Sequence, residues 1–448
     1  MAIHDPDSPH EGTPPGAVLL VSPEAGNDLI AGSSGPKLLP VHLPPQWREA
    51  PTVTRALEEQ LGCPVFLRRE LPPRTGRTGR VFVAEVADRR IPGLSHLTWF
   101  PALDRLEELA ELLAPSAGTT APPDSGTLLA GDTFGTPYAP WTSTGWFDRL
   151  HREVTAHFGE HVEIRPLKLR HDRYLLRVAC KDEFYEIHAR PRTEQPVWHC
   201  PSLAELNDIP LLNAHIPEVL ARWPHLGAEL GRAPLGQRLA DDGSLTAWDS
   251  TVRDWATSQM TCAEQFGLDQ HPKDLLDRLH EEFRLTLREW RAVQEYIPGF
   301  GDGAFNWMTQ SVNAAFDTLG RSRLPASIVN GSLNCHTAYL GKDGMQISEW
   351  EPRYLGHPFM ALSSLLHVRS ASFTLFSQSR LAQPYLSAWL KNFPMADPGG
   401  EVRGAIIAGC AVQAMATWRS TANTPEARAL SLGAELASWW EIIIRSSP

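Results

Sequence analysis

The chain is read as an α+β protein: strand-like runs come first, helical periodicity follows, and one Pro/Gly-rich stretch interrupts the order. Those observations predict a small α+β domain, a connecting segment, and a two-lobed fold with a small β lobe and a large helical lobe. The chain has 448 residues, too many for one ordinary core.

The elements follow in order. Residues 1–15 are rich in Pro, Gly and charge and are expected to be disordered. Ala17–Ser22 reads as a buried strand. Val53, Ala56, Leu57 and Leu61 fall at helical spacing, and Gly62 can end that helix. Val65–Arg68 and Arg80–Val86 read as strands, and LTWFPALDRLEELAELL as a strand end followed by an amphipathic helix. This front domain spans 16–114. Residues 115–140 are dense in Pro, Gly, Ser and Thr and read as a linker, or as a long loop over one domain. A second domain, 141–448, opens with the helix TGWFDRLHREVTAHFG, closed by Gly159. Three strands follow: VEIRPLKL, YLLRVACK and EFYEIHARP. The small lobe is placed at 141–235 and the helical lobe at 236–448. In the latter, Leu275, Leu276, Leu279, Phe283, Leu287 and Trp290 line one helix face. Further helices are expected at 305–319, 358–370, 401–418 and 427–444.

The formal net charge of -11 argues against a nucleic-acid binder, which needs basic surface to displace counterions. The fifteen tryptophans have no basic clusters beside them and read as packing residues. No apolar run is long enough to span a bilayer, and the start lacks a basic region followed by an apolar core. The six cysteines are scattered without a CxxC pair, so neither a disulfide framework nor a structural zinc site is expected. Cys335-His336 and His199-Cys200 are adjacent pairs that make no metal site. A cytoplasmic protein is the expectation.

The chemistry concentrates in SIVNGSLNCHTAYLGKDGMQISEWEPRYLGHPF, Ser327 to Phe359. LPASIV leads into the loop NGSLNCHT. A hairpin turning at Gly341–Gly344 follows, and Gly356-His357-Pro358 starts the next helix with proline in its first turn. Under period-2 alternation Glu349 and Glu351 fall on one side. They are expected to face a pocket rather than stand as solvated strand-end charges. Phosphoryl transfer needs this plan: a carboxylate to orient the acceptor hydroxyl, an amide or carboxylate on magnesium, and a second carboxylate bridging magnesium to phosphates.

The segment resembles the aminoglycoside phosphotransferase family, related to choline kinases. The signature of that family runs H-G-D-L-H-x-x-N, a hairpin, I-D-W-E, then L-G-D-P-x-x-D-L. The resemblance implies a protein-kinase-like fold using ATP and magnesium. Gly331, Leu333, Trp350, Glu351, Leu355, Gly356, Pro358 and Leu362 keep the framework. The chemical positions depart from it. Asn330 stands at the first histidine, Ser332 at the catalytic aspartate, Asn334 at the second histidine and Thr337 at the metal-binding asparagine. Glu349 stands at the metal-binding aspartate, and His357 and Ala361 at two further acidic positions. Ser332 has no carboxylate and cannot serve as the proton partner of an acceptor. Glu349, Thr337 and Glu351 are the candidate metal ligands.

In the small lobe His188 lies near the position of the phosphate-holding lysine, with Lys168 and Lys181 on neighbouring strands as alternatives. His188 also has a plain reading, as a strand residue satisfied by a backbone carbonyl. The turn LRHDRY lacks glycine, though Arg170, Arg173 or Arg190 could meet an anion. Glu205 is the candidate carboxylate partner on the next helix.

The front domain resembles Nudix hydrolases, whose box ends R-E-x-x-E-E-x-G. Arg55, Glu59 and Gly62 match; Ala56 and Gln60 replace acidic residues, and Val41 and Trp47 replace the upstream glycine and glutamate. One remaining carboxylate holds a hard cation poorly, so no hydrolase activity is expected.

Three functional readings follow. The first is a pseudokinase that binds a nucleotide, another small molecule or a protein partner. The second is an active small-molecule kinase with a rearranged site. The third is an interaction protein that binds no nucleotide.

Overall fold

Val18–Val21 are fully buried, and this run lies at the centre of the first sheet. The computed structural model describes residues 16–24, 27–32, 38–41, 50–71, 81–86, 94, 97–101, 139–143, 145–159, 161–169, 173–190, 206, 208–267, 272–297, 301–342, 344–366, 377–393, 398–419 and 425–446. The chain divides into two units: Met1–Arg192 with Leu220–Leu230, and Thr193–Val219 with Gly231–Pro448.

In the first unit, β1 (Gly16–Glu24) pairs parallel with β5 (Val81–Val86) and antiparallel with β2 (Asn27–Gly32) and β3 (Leu39–Val41). β4 (Val65–Leu71) and β6 (Thr98–Pro101) form the edges. Every residue of β5 is buried. Near-continuous apolar runs of this kind, here broken only by Glu85, mark strands covered on both faces. Helix α1 (Ala50–Leu61) sets Val53 and Leu57 against Val18, Leu20, Phe82 and Ala84. Gly62 ends it at φ +68°, as its position predicts. A bulge between Leu67 and Arg69 interrupts the β4–β5 register at Arg68. Bulges re-aim side chains, and Arg68 is fully buried with its Nε 2.8 Å from Glu85 Oε2.

The second sheet of this unit runs β10-β11-β9-β8-β7. The strands are β7 (Glu163–Leu169), β8 (Tyr174–Cys180), β9 (Glu183–Ala189), β10 (Val219–Trp223) and β11 (Ala228–Arg232). Alternation puts Tyr174, Leu176 and Val178 of β8 with Tyr185 and Ile187 of β9 on one face, packed with Trp146 and Leu150 of α2 (Trp146–Phe158). Gly159 closes α2 at φ +69°. Phe66 of β4 stacks on Phe147 of α2 at 4.3 Å, and Leu169 of β7 packs against the core of the first sheet. The two sheets thus share packing. The last two strands were not foreseen. Val219, Leu220 and Ala221 show no alternation in burial, and their signal is only Pro224 and Gly227 at the turn.

The second unit is built on one large core and includes the short strand β12 (Gln237–Arg238). Its long helices among the described residues are α3 (Leu245–Cys262), α4 (Pro272–Ala292), α5 (Asp302–Leu319), α6 (Gln378–Asn392), α7 (Pro398–Arg419) and α8 (Pro425–Ser446). Leu275, Leu276, Leu279, Phe283 and Trp290 of α4 are buried and Leu287 packs beside them, as their spacing predicts. Trp248, Trp255, Trp389, Trp418 and Trp440 are core residues too. Helix α7 is buried through Ala408–Met415, the pattern of a central helix. A Cβ on its Gly409 would lie 2.5 Å from the Met360 carbonyl oxygen, so only glycine allows that approach. The helix expected at 358–370 is corrected over its described part: a 3-10 turn, Pro358–Ala361, runs into one helical turn, Leu362–Leu365, and residues 367–370 lie outside the described residues. Close packing against α7 and the proline start favour the tighter turn.

The expected tail 1–15, the helix after Pro101, residues 115–138 of the linker, Trp47, Arg170, His199, Cys200 and Glu205 lie outside the described residues. Among the described residues no helix is long and apolar enough to cross a membrane.

Candidate functional site

The loop 331–337 leaves β13 (Ser327–Asn330), which pairs antiparallel with β16 (Arg353–Gly356). The expected hairpin follows as β14 (Ala338–Gly341) and β15 (Gly344–Ile347). β15 ends at Ile347, so Glu349 and Glu351 lie beyond the strand and the alternation argument does not place them.

Each polar side chain predicted at this loop is used to hold it. Buried Asn330 accepts the Ser332 N–H on Oδ1 at 2.8 Å and donates from Nδ2 to the Glu349 carbonyl at 3.1 Å. The Ser332 hydroxyl donates to the Glu351 carbonyl. The Thr337 hydroxyl donates to the Ser332 carbonyl at 2.7 Å and accepts the Asn334 N–H at 2.9 Å. Asn334 donates from Nδ2 to the Ser332 carbonyl at 3.0 Å and accepts the His336 N–H on Oδ1 at 2.9 Å. Gly331 donates its N–H to the Pro352 carbonyl at 2.8 Å, and its carbonyl accepts from Gln413 Nε2 of α7 at 2.6 Å. A Cβ on Gly331 would lie 2.0 Å from that nitrogen.

Glu349 is 8% exposed. Glu351 is half-buried, and its Oε1 forms an ion pair with Arg353. Asn330, Ser332, Thr337, Glu349 and Glu351 are therefore brought together by hydrogen bonds, largely through backbone atoms. Among the described residues no group of three or more His, Cys, Asp or Glu side chains is placed to hold a metal.

His357 is fully buried and acts as a helix cap, its Nδ1 accepting the Phe359 N–H at 3.3 Å. That bond puts the ring proton on Nε2, which faces Ser322 Oγ at 3.1 Å and Glu401 Oε2 at 3.6 Å. Ser322 Oγ donates to Glu401 at 2.6 Å. Burial lowers the His357 pKa, and Glu401 opposes that shift. Serine and acid meet the same ring nitrogen, so the trio is not a nucleophile–base–acid relay. It ties the 3-10 turn to the start of α7.

The small-lobe candidates lie in the first unit. His188 is opposite Leu175 of β8, and Leu175 is opposite Lys168 of β7. Lys181 sits in the β8–β9 turn at φ +54°. Glu183 and His188 are five positions apart on β9, about 16 Å at strand rise, so the Lys181 end is far from the other two. Sequence reasoning missed Glu186, buried on β9 with Oε2 3.6 Å from His188 Nε2. It also missed Gln413, whose signal was a lone glutamine in the apolar run IIAGCAVQAM.

No model of a known protein family matches the chain, and no curated protein matches it. Among solved structures it is similar to the choline kinase LicA from Streptococcus pneumoniae, at TM-score 0.45 and 11% identity over 65% of this chain and 99% of that one. A thermostable mutant of aminoglycoside phosphotransferase APH(4)-Ia gives 0.43 and 13% over 66% and 98%. A choline kinase from Cryptosporidium parvum gives 0.42 and 10% over 63% and 90%.

Proposed function

We propose that the chain is an aminoglycoside-phosphotransferase-like protein that has given up fast phosphoryl transfer and works by binding. Support comes from its own residues. The framework Gly331, Leu333, Trp350, Leu355, Gly356 and Pro358 stands on a strand–loop–hairpin–strand plan. A five-stranded sheet precedes the helices, as a small lobe precedes a large one. On this reading 141–235 and 236–448 are the two lobes, behind a front domain at 16–114. That front domain is a Nudix-like shell without hydrolase chemistry: Glu59 is exposed on α1, while Ala56 is buried in the core.

The observation that carries the proposal is the internal use of the Ser332 and Thr337 hydroxyls. A hydroxyl donating to a carbonyl takes no proton from an acceptor. The donor set also fits magnesium poorly. A hard cation with six oxygen ligands finds Glu349, a Glu351 already paired with Arg353, and a Thr337 oxygen bound within its loop. The ligand is a nucleotide, another small molecule or a partner protein, in the cytoplasm.

Calorimetric titration with ATP, with and without magnesium, tests this on the wild type and Glu349→Ala, alongside an assay for phosphorylated acceptor. Binding with little magnesium dependence and no product is the expected result. Turnover lost in Glu349→Ala would establish a rearranged active kinase instead. No binding at millimolar ATP would leave the non-nucleotide readings.

A further inference from the structure

β9 carries one acidic side chain that its sheet leaves unspent. Glu186 is 2% exposed, and its Oε2 accepts no hydrogen bond. The arginines in its row are engaged elsewhere. Arg177 lies directly across on β8, but its guanidinium stands over the Phe184 ring, 5.6 Å from the centroid. Arg165 is next in the row, on β7, and its Nε bonds Glu163 at 2.6 Å. What faces Oε2 is His188, two residues on and therefore on the same face, with Nε2 at 3.6 Å.

That separation is too long for a hydrogen bond. It is close to the span of two ligands on one tetrahedral ion: bonds of about 2.0–2.2 Å put ligand atoms about 3.3 Å apart. A buried carboxylate without a hydrogen-bond donor is costly, and a cation bound there relieves that cost. Imidazole with carboxylate suits zinc and its neighbours better than magnesium or calcium.

We propose that Glu186 and His188 form a two-residue site for a divalent transition-metal ion such as zinc, on the face of the second sheet opposite α2. Water fills the remaining positions. The site does not depend on whether the loop at Ser332 transfers phosphate.

The test is a titration of the full chain, stripped by chelator, with zinc chloride. Thermal midpoint and visible absorption with cobalt as a substitute are the readouts, for the wild type, Glu186→Gln and His188→Ala. A ligand that binds only the native state raises the midpoint saturably. That rise is expected in the wild type and lost in both variants, and magnesium chloride should give none. The cobalt absorption of tetrahedral coordination should appear in the wild type only. No zinc-dependent rise in the wild type would overturn the proposal and leave a simple ion pair. An equal rise in the variants would overturn it too, placing zinc at other histidines. If Glu186→Gln does not fold, His188→Ala, which trims a partly exposed ring, still decides.

Discussion

The loop after β13 and the outer face of β9 both carry buried polar side chains, and they treat them in opposite ways. Around the loop, Asn330, Ser332, Asn334 and Thr337 all hydrogen-bond to nearby backbone. On β9, Glu186 is more buried than Ser332 or Thr337 yet accepts nothing on Oε2. Burial alone therefore does not tell how a polar group is used in this molecule: the loop groups are satisfied by backbone, and the Glu186 Oε2 is not. A satisfied buried group is a pin, and an unsatisfied one needs something to satisfy it.

The comparison is open to attack from both sides. The largest effect is expected from Asn330→Ala, which orphans the buried Ser332 N–H and removes the Glu349 carbonyl partner. Loss of about 2–4 kcal/mol in urea denaturation is the expected result. A loss near zero would mean the loop is not pinned as described. Gly331→Ala comes next: its Cβ must displace the Gln413 amide, at about 1–3 kcal/mol for overpacking. Gln413→Ala in the same background should recover part of that loss, since the clash goes with the amide.

A pH series sharpens the picture at intermediate size. Burial lowers the pKa of both His215 and His357 from the ordinary 6.5. Between the depressed folded values and 6.5 the unfolded chain binds more protons, so stability rises with pH there. Stability should be complete above about pH 6.5 and fall steadily below it, until the folded imidazoles protonate. A denaturation midpoint that is flat from about pH 7.5 to 5.5 would contradict the buried neutral state of both rings. The smallest effect belongs to β9. Metal-free Glu186→Gln should change stability by less than about 0.5 kcal/mol or raise it, because the buried charge it removes has no hydrogen bond to lose. A large loss would show that Glu186 is a pin after all.

Much of this arrangement was legible in the sequence. The strands of β1, β5, β7, β8 and β9 announce themselves by apolar runs or alternation, and α4 by its Leu/Phe/Trp stripe. The hairpin at Gly341–Gly344 follows from its turn chemistry. The β10–β11 hairpin was not legible, because Val219–Ala221 lack the period of a half-buried strand. At the site, the sequence marked Ser332 and Thr337 as departures from a catalytic pattern. It could not show that their hydroxyls bond to nearby carbonyls, since the Ser332 bond depends on how residues 348–352 return beside the loop and the Thr337 bond on how the loop turns back on Ser332. Glu186 looked like any polar residue on an alternating strand; only its burial without a hydrogen bond on Oε2, a property of the folded sheet, sets it apart.

The bond between Gln413 and Gly331 spans 82 positions. As the chain emerges from the ribosome, β13, the loop and the hairpin are all made well before the α7 residue that fixes the Gly331 carbonyl. The last tie on the loop is therefore added late in synthesis. A nascent chain arrested before residue 413 already holds the partners of Asn330, Ser332 and Thr337 but lacks this bond, so the Gly331 carbonyl should be the one part of the loop still to be tied down.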